Sequence, residues 1–167
     1  MYYADASRVC LEPCVPYGWQ FPDEDVFMPS AKGKGLNCFG LLTRTNKLMF
    51  STTTQNINST FVFEYLDRLS FMLEKPTVIV LDNASVHTAK IIQQQRNVWE
   101  ERGLILFYLP PYSPQLNLIE ILWKMLKYYW LKPEDYVEEQ LLFYKITLAL
   151  AAVGSSLNIN FSDLALV

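Results

Sequence analysis

Residues 109–127, LPPYSPQLNLIEILWKMLK, restrict the possible folds of this chain more sharply than any other stretch. Ser113 followed by Pro114 is a good N-cap and first-turn pair, so the pattern predicts a helix over 113–131, stopped by Pro133. One carboxylate, Glu120, stands in that otherwise apolar run, with Leu116, Ile119, Leu122 and Trp123 expected to crowd around it. Upstream, VIVLDNASVH (78–87) reads as a buried, β-branched strand that ends at Asp82, after which the chain turns through Asn83, Ala84 and Ser85. An Asp at a strand end and a Glu on a following helix can share a metal ion. The interval between them leaves room for one helix, one strand and a turn. A third carboxylate, Asp5, lies in the apolar opening MYYADASRV, on the same face of a strand as Tyr3 and Ser7.

Periodicity supplies the remaining elements. Strands are predicted over 2–11, 36–43 and 48–54, the last two joined by a turn at Thr45, Asn46 and Lys47. Helical spacing of Phe61, Val62, Tyr65, Leu66, Leu69, Phe71 and Met72 predicts a helix over 59–73, with Pro76 beyond its end. A strand over 77–81, a polar-faced helix over 88–102 ended by Gly103, and a fifth strand over 104–108 follow. A last helix is predicted over 133–153. This order is the one expected of a ribonuclease-H-like α/β fold: a mixed central sheet of about five strands with helices on both faces. Residues 14–34, rich in Pro, Gly and charge, read as a long excursion between the first two strands.

With 167 residues, 51% of them hydrophobic and 14% aromatic, the chain is expected to form one folded domain over 1–167. No uncharged apolar run reaches the ~18 residues that span a bilayer, and Lys145 interrupts the longest candidate. No signal peptide precedes the first strand, so a cytoplasmic location is expected. Cys10, Cys14 and Cys38 are odd in number and have one histidine, His87, to share, which argues for reduced thiols rather than a zinc site.

The blocks LDNASVH and LPPYSPQLNLIEILWKMLK, taken with Asp5, resemble the catalytic core of DDE transposases, specifically the insertion-sequence group related to mariner elements, within the retroviral-integrase-like superfamily. The likeness spans roughly 2–132. It is weakest around Asp5, where Ala6 stands in place of the glutamate often found there, and the Tyr17-Gly18-Trp19 run fits better. The resemblance implies that Asp5, Asp82 and Glu120 are catalytic and ligate two Mg²⁺ ions, with Mn²⁺ as a substitute, Asp5 bridging the pair. It further implies cleavage of phosphodiester bonds at element ends, transfer of the freed 3′-hydroxyl to target DNA, and a homodimer in the active complex. Relatives of this type carry an N-terminal helix-turn-helix region for DNA; none is expected in this chain, whose first strand begins almost at Met1. The net charge of −3 agrees with that expectation, since phosphate binding normally asks for a basic face.

Around the three carboxylates stand residues with two readings each. Asn83 and His87 follow Asp82, and His87 is expected either to orient Asp82 or to touch DNA, against a structural role. Asn117, one turn before Glu120, would share its helical face and bond the carboxylate or a phosphate. Lys124 and Lys127 would continue that stripe as a phosphate track, or be solvated lysines. Lys32, Lys34, Arg44 and Lys47 offer a second basic cluster around the hairpin, while Asp23, Glu24 and Asp25 read as a solvated loop. Asp82 by itself is better explained as a turn or helix cap. Three other functions fit parts of the pattern. Another nuclease of the same fold would have no use for PPYSPQLNLIE, and a receiver domain would want an acidic pair where Ala6 stands. A non-catalytic remnant that keeps the fold and binds DNA or a protein is the remaining alternative.

Overall fold

The structure, a computed structural model, describes residues 1–12 and 34–161. Cys14, Tyr17, Gly18, Trp19, the Asp23-Glu24-Asp25 run and Lys32 lie outside the described residues, as does the chain after Phe161. Five strands form one sheet: β1 (Tyr2–Cys10), β2 (Gly35–Leu42), β3 (Leu48–Thr53), β4 (Thr77–Leu81) and β5 (Leu104–Tyr108), in the order β3-β2-β1-β4-β5. The pairs β1–β2 and β2–β3 are antiparallel, whereas β1–β4 and β4–β5 are parallel. The sheet is therefore mixed, as expected from the order of elements, with β1 at its centre.

Strand alternation divides the apolar residues between two cores. On one face Ala4, Phe39, Leu41, Ile79 and Leu81 pack against α1 (Ser59–Ser70) and α2 (Lys90–Glu101) through Val62, Leu66, Ile92 and Trp99. On the other, Tyr3, Val9, Cys38, Leu42 and Val80 meet α3 (Ile119–Met125) and α4 (Glu139–Ala152) through Ile119, Leu122, Trp123, Leu142 and Ile146. The helices thus cover both faces. No helix among the described residues is long and apolar enough to cross a membrane. Cys10 and Cys38 are free thiols.

Helix ends depart from the expectations where polar groups take over from periodicity. α1 is capped by Asn58, whose Oδ1 accepts from the Phe61 amide at 2.9 Å, and stops at Ser70. Phe71 and Met72, predicted helical and inward, are exposed, and the Phe71 ring lies under the Arg102 guanidinium at 3.9 Å. α2 ends as predicted at Gly103, whose φ of 87° suits glycine. The last predicted helix divides, because Asp135 Oδ2 accepts from the Lys132 amide at 2.9 Å and holds Pro133–Tyr136 as a 3-10 turn before α4 begins. The apolar stretch from Leu141 is accordingly a core helix.

The largest correction falls on the predicted helix over 113–131. Ser113 makes no side-chain cap, Pro114–Leu116 forms a single 3-10 turn, and Asn117 is extended at φ −91° and ψ 98°. The α-helix starts only at Ile119 and widens into a π turn over Leu126–Trp130. Asn117 supplies the physical reason. Its side chain is buried and its Nδ2 donates to the Ala4 carbonyl of β1 at 3.2 Å. Leu116, left before this break, is 48% exposed instead of packing beside Glu120.

Candidate active site

Two of the three carboxylates are brought level by the parallel pairing of β1 with β4. Tyr2 faces Ile79 and Tyr3 faces Val80, so continuing that register by two residues sets Asp5 beside Asp82. Neighbouring strands lie about 4.8 Å apart, and alternation turns both side chains to the α3 face, where Tyr3 and Val80 also point.

The third comes from α3, which is seated on β1 and β2 by a glycine. Gly40 is the β2 partner of Asp5, and a Cβ there would stand 3.0 Å from Ile119 Cδ1 and 3.1 Å from Trp123 Cη2. Its absence lets the Trp123 indole lie down on the sheet and donate from Nε1 to Asp5 Oδ2 at 3.1 Å. Asn117 pins the other end of the same joint to Ala4, next to Asp5. Glu120 then falls in the first turn of α3, exposed at the surface rather than enclosed by apolar neighbours. A carboxylate there is also favoured by the helix dipole.

Electrostatics tie the three together. Asp5 is raised from 3.8 to about 7, first by burial and then by the charge of Glu120, with Asp82 adding to it; the Ala6 amide and His87 pull the other way. Glu120 is raised by partial desolvation of its carboxylate and by Asp82, against the pull of Lys127. Asp82 moves oppositely. It is held below the usual carboxylate range chiefly by its hydrogen bond with His87, with burial opposing and the Ala84 amide assisting. His87 Nδ1 stands 2.6 Å from Asp82 Oδ1, and the Ala84 amide donates to the same oxygen at 3.1 Å. The turn-cap reading of Asp82 is therefore met in part, while its side chain stays 44% exposed.

The flanking residues divide. His87 is 1% exposed and packs near Phe39, so it orients Asp82 and is too buried to touch DNA. Its Nε2 has no hydrogen-bond partner among the described residues. Asn83 donates to the Leu109 carbonyl at 2.5 Å and ties the turn after β4 to the loop after β5. The Asn117 side chain bonds β1, not the Glu120 carboxylate, contrary to the expectation of a shared helical face. Lys124 is exposed, and Lys127 is close enough to Glu120 to counter its charge. Lys34 pairs with Glu139 at 2.6 Å, away from the carboxylates, and Arg44 and Lys47 are exposed. Reasoning from sequence missed Trp123 as a donor, and with it Gly40 and Tyr108. The Tyr108 hydroxyl donates to the His87 carbonyl at 2.8 Å. A glycine inside the strand CFGLL was the one available signal of a close approach.

Carboxylate oxygens are the donor set that Mg²⁺ or Mn²⁺ prefers, and three mutually repelling acids, one raised to about 7, are what a cation would relieve. The chemistry of the donors fits. Among the described residues, however, no three His, Cys, Asp or Glu side chains are gathered tightly enough to hold an ion as they stand. Asp82 Oδ1 is turned to His87 and Asp5 Oδ2 to Trp123.

The family described as DDE superfamily endonuclease matches residues 1–141. No curated protein matches in sequence. Among solved structures, the Mos1 transposase paired-end complex with left transposon end is similar at a TM-score of 0.59 and 14% identity, over 90% of this chain and 52% of that one. The Mos1 mariner paired end complex with Mn gives 0.57 and 14%, over 93% and 52%. A simian T-cell lymphotropic virus intasome, in complex with PP2A regulatory subunit B56 gamma, gives 0.59 and 16%, over 82% and 49%. The chain spans about half the length of these relatives. Such likeness establishes the fold, a ribonuclease-H-like core with its mixed five-stranded sheet.

Proposed function

The chain belongs to the DDE superfamily of endonucleases, and from that premise we propose that it is the catalytic part of a DNA transposase. In this reading it cuts phosphodiester bonds at element ends and joins the freed 3′-hydroxyl to target DNA. The observation that carries the reading is the convergence of Asp5, Asp82 and Glu120 from β1, the end of β4 and the start of α3 into one electrostatic cluster.

Asp5, Asp82 and Glu120 would hold two divalent ions, Mg²⁺ with Mn²⁺ as substitute, which when bound supply an activated water and a Lewis acid for the leaving oxygen. The chain's own contribution is position and charge. Trp123 fixes Asp5 through Oδ2, and His87 with the Ala84 amide fixes Asp82 through Oδ1. Asn117 holds the start of α3, and so Glu120, against β1. Lys124 and Lys127 would draw a DNA phosphate toward Glu120 in a protein whose net charge of −3 otherwise repels it. Water attack at phosphorus breaks the P–O3′ bond and leaves a 3′-hydroxyl, whose later attack on a target phosphate would form a new phosphodiester and break the target's own P–O3′ bond, releasing a 3′-hydroxyl on the target strand. Since Mos1 transposase forms a paired-end complex with transposon DNA, a homodimer across two ends is the assembly we propose here as well.

A second reading has one observation in its favour. The lack of a ready three-ligand group among the described residues suits a non-catalytic module that keeps the fold. Mn²⁺ titration, followed by calorimetry or electron paramagnetic resonance, separates the two. Wild-type protein should bind Mn²⁺, and Asp82→Asn should abolish binding while leaving the melting temperature nearly unchanged. Equal Mn²⁺ affinity in wild type and Asp82→Asn would refute the catalytic reading.

A further inference from the structure

We infer that the outer edge of β3 is an interface for a second copy of this chain. The two β3 strands pair antiparallel about a two-fold axis at Phe50, and Lys47 of each copy is set against Glu64 of the other. The interface needs neither DNA nor metal, so it stands apart from the proposed function. The backbone at that edge is open. The Thr43 amide donates to the Lys47 carbonyl at 3.0 Å, and the same register continues through Leu41 with Met49 and Phe39 with Ser51. Lys47, Met49, Ser51 and Thr53 are therefore the residues that bond β2, while Leu48, Phe50 and Thr52 turn their amides and carbonyls outward. No hydrogen bond from another described residue reaches these outward groups.

The opposite edge of the sheet is closed. There the Leu106 carbonyl points outward from β5 and accepts from Arg96 Nη2 at 3.2 Å, with α2 lying alongside the strand. Natural sheets protect an exposed edge with charge, proline, a bulge or a covering element. β3, LMFSTT, carries no charged residue and no proline, and its six consecutive pairs with β2 contain no bulge. One molecule thus guards one edge and leaves the other as a template for strand pairing.

Charge complementarity identifies the occupant as the chain itself. Pairing about Phe50 sets Leu48 against Thr52 of the second copy and engages all three outward residues of each strand. One position further along, Lys47 meets Thr53 of the second copy. Alternation puts both on the α1 face of the sheet, to which Met49 also belongs. Thr53 there lines a polar hollow of about 290 Å³ together with Gln55, Asn58 and Glu64, at the start of α1. Lys47 and Glu64 are exposed, and neither has an ion-pair partner among the described residues. Each copy brings a lysine to one end of β3 and a carboxylate to the other, so a two-fold axis joins them twice. On the opposite face α4 lies over β2 and β3. With strands about 4.8 Å apart, the two α4 helices come to about 10 Å, the ordinary spacing of packed helices.

Sedimentation velocity of the full chain in EDTA, without DNA, tests this interface. Wild type should sediment as a dimer at ~100 µM. Thr52→Pro removes an outward amide and no bond to β2, and Lys47→Glu brings like charges together; each should weaken the dimer about tenfold or more. Glu64→Lys should weaken it likewise, and Lys47→Glu combined with Glu64→Lys should restore wild-type association, which a misfolded variant would not do. A wild type that stays monomeric overturns the interface. So does a dimer that these substitutions leave unchanged, or a double variant no tighter than the single ones. With metal and DNA absent, none of these results bears on the catalytic reading, which its own Mn²⁺ titration decides.

Discussion

Replacing Asp5 by Asn should stabilise the metal-free protein in alkaline solution. The carboxyl is raised from 3.8 to about 7 by burial and by the charges of Glu120 and Asp82. A group raised in the folded state contributes stability that is complete below its unfolded value and is lost as pH climbs through its folded value. Ionised Asp5 therefore burdens the fold progressively between about pH 4 and pH 7. At roughly 1.4 kcal/mol per unit the whole shift corresponds to on the order of 4 kcal/mol, and partial solvent screening at a half-buried site reduces this to about 2 kcal/mol. Asparagine keeps an oxygen for the Trp123 indole and removes the charge. In a chain of this size about 2 kcal/mol moves the melting temperature by roughly 4–8 °C. Thermal melts in EDTA should show Asp5→Asn above wild type by that amount at pH 8 and level with it at pH 4. Millimolar Mn²⁺ at pH 8 should raise wild type alone. A difference that is constant across pH, or a variant that melts below wild type at pH 8, would show that Asp5 is not held in a field of like charges.

Three further outcomes follow from the packing around the carboxylates and from the turn between β2 and β3. Gly40→Ala should push Ile119 and Trp123 aside by a few tenths of an ångström, destabilise by about 1–3 kcal/mol in urea unfolding and weaken Mn²⁺ binding; a neutral substitution would deny the seating of α3 on β2. Trp123→Phe keeps most of the packing but removes the donor to Asp5 Oδ2, so it should destabilise by about 1 kcal/mol and lower Mn²⁺ affinity several-fold, as read by calorimetry. Asn46→Ala combines a φ of 60° with two lost bonds to Ile159 and should destabilise by about 2–4 kcal/mol, whereas Asn46→Gly, free of the backbone strain, should lose less.

Much of this architecture was legible before any coordinates. Alternation in 2–11 and the β-branched run 77–81 record which residues face inward, and they placed Asp5 on a strand and Asp82 at a strand's end. Helical spacing located α1 and α2 to within a few residues, with Gly103 marking a stop that the backbone requires. The failures share one cause. Periodicity records a face, not the partner on it, so the apolar run after Ser113 looked like one continuous helix. Asn117 broke it to reach a carbonyl of β1 that is more than a hundred residues away in sequence.

The amino-acid sequence by itself determined the order of elements, the faces they bury and the three acidic side chains, because these depend on local stereochemistry and the hydrophobic effect. Only the tertiary structure decided how those acids meet. The parallel register of β1 and β4 sets Asp5 level with Asp82, and Gly40 admits Trp123 to Asp5. The late start of α3 leaves Glu120 at the surface, and the burial of His87 commits it to Asp82. Each of these is a contact between distant segments, and its energy depends on distance and burial. Neither quantity exists until the sheet has closed.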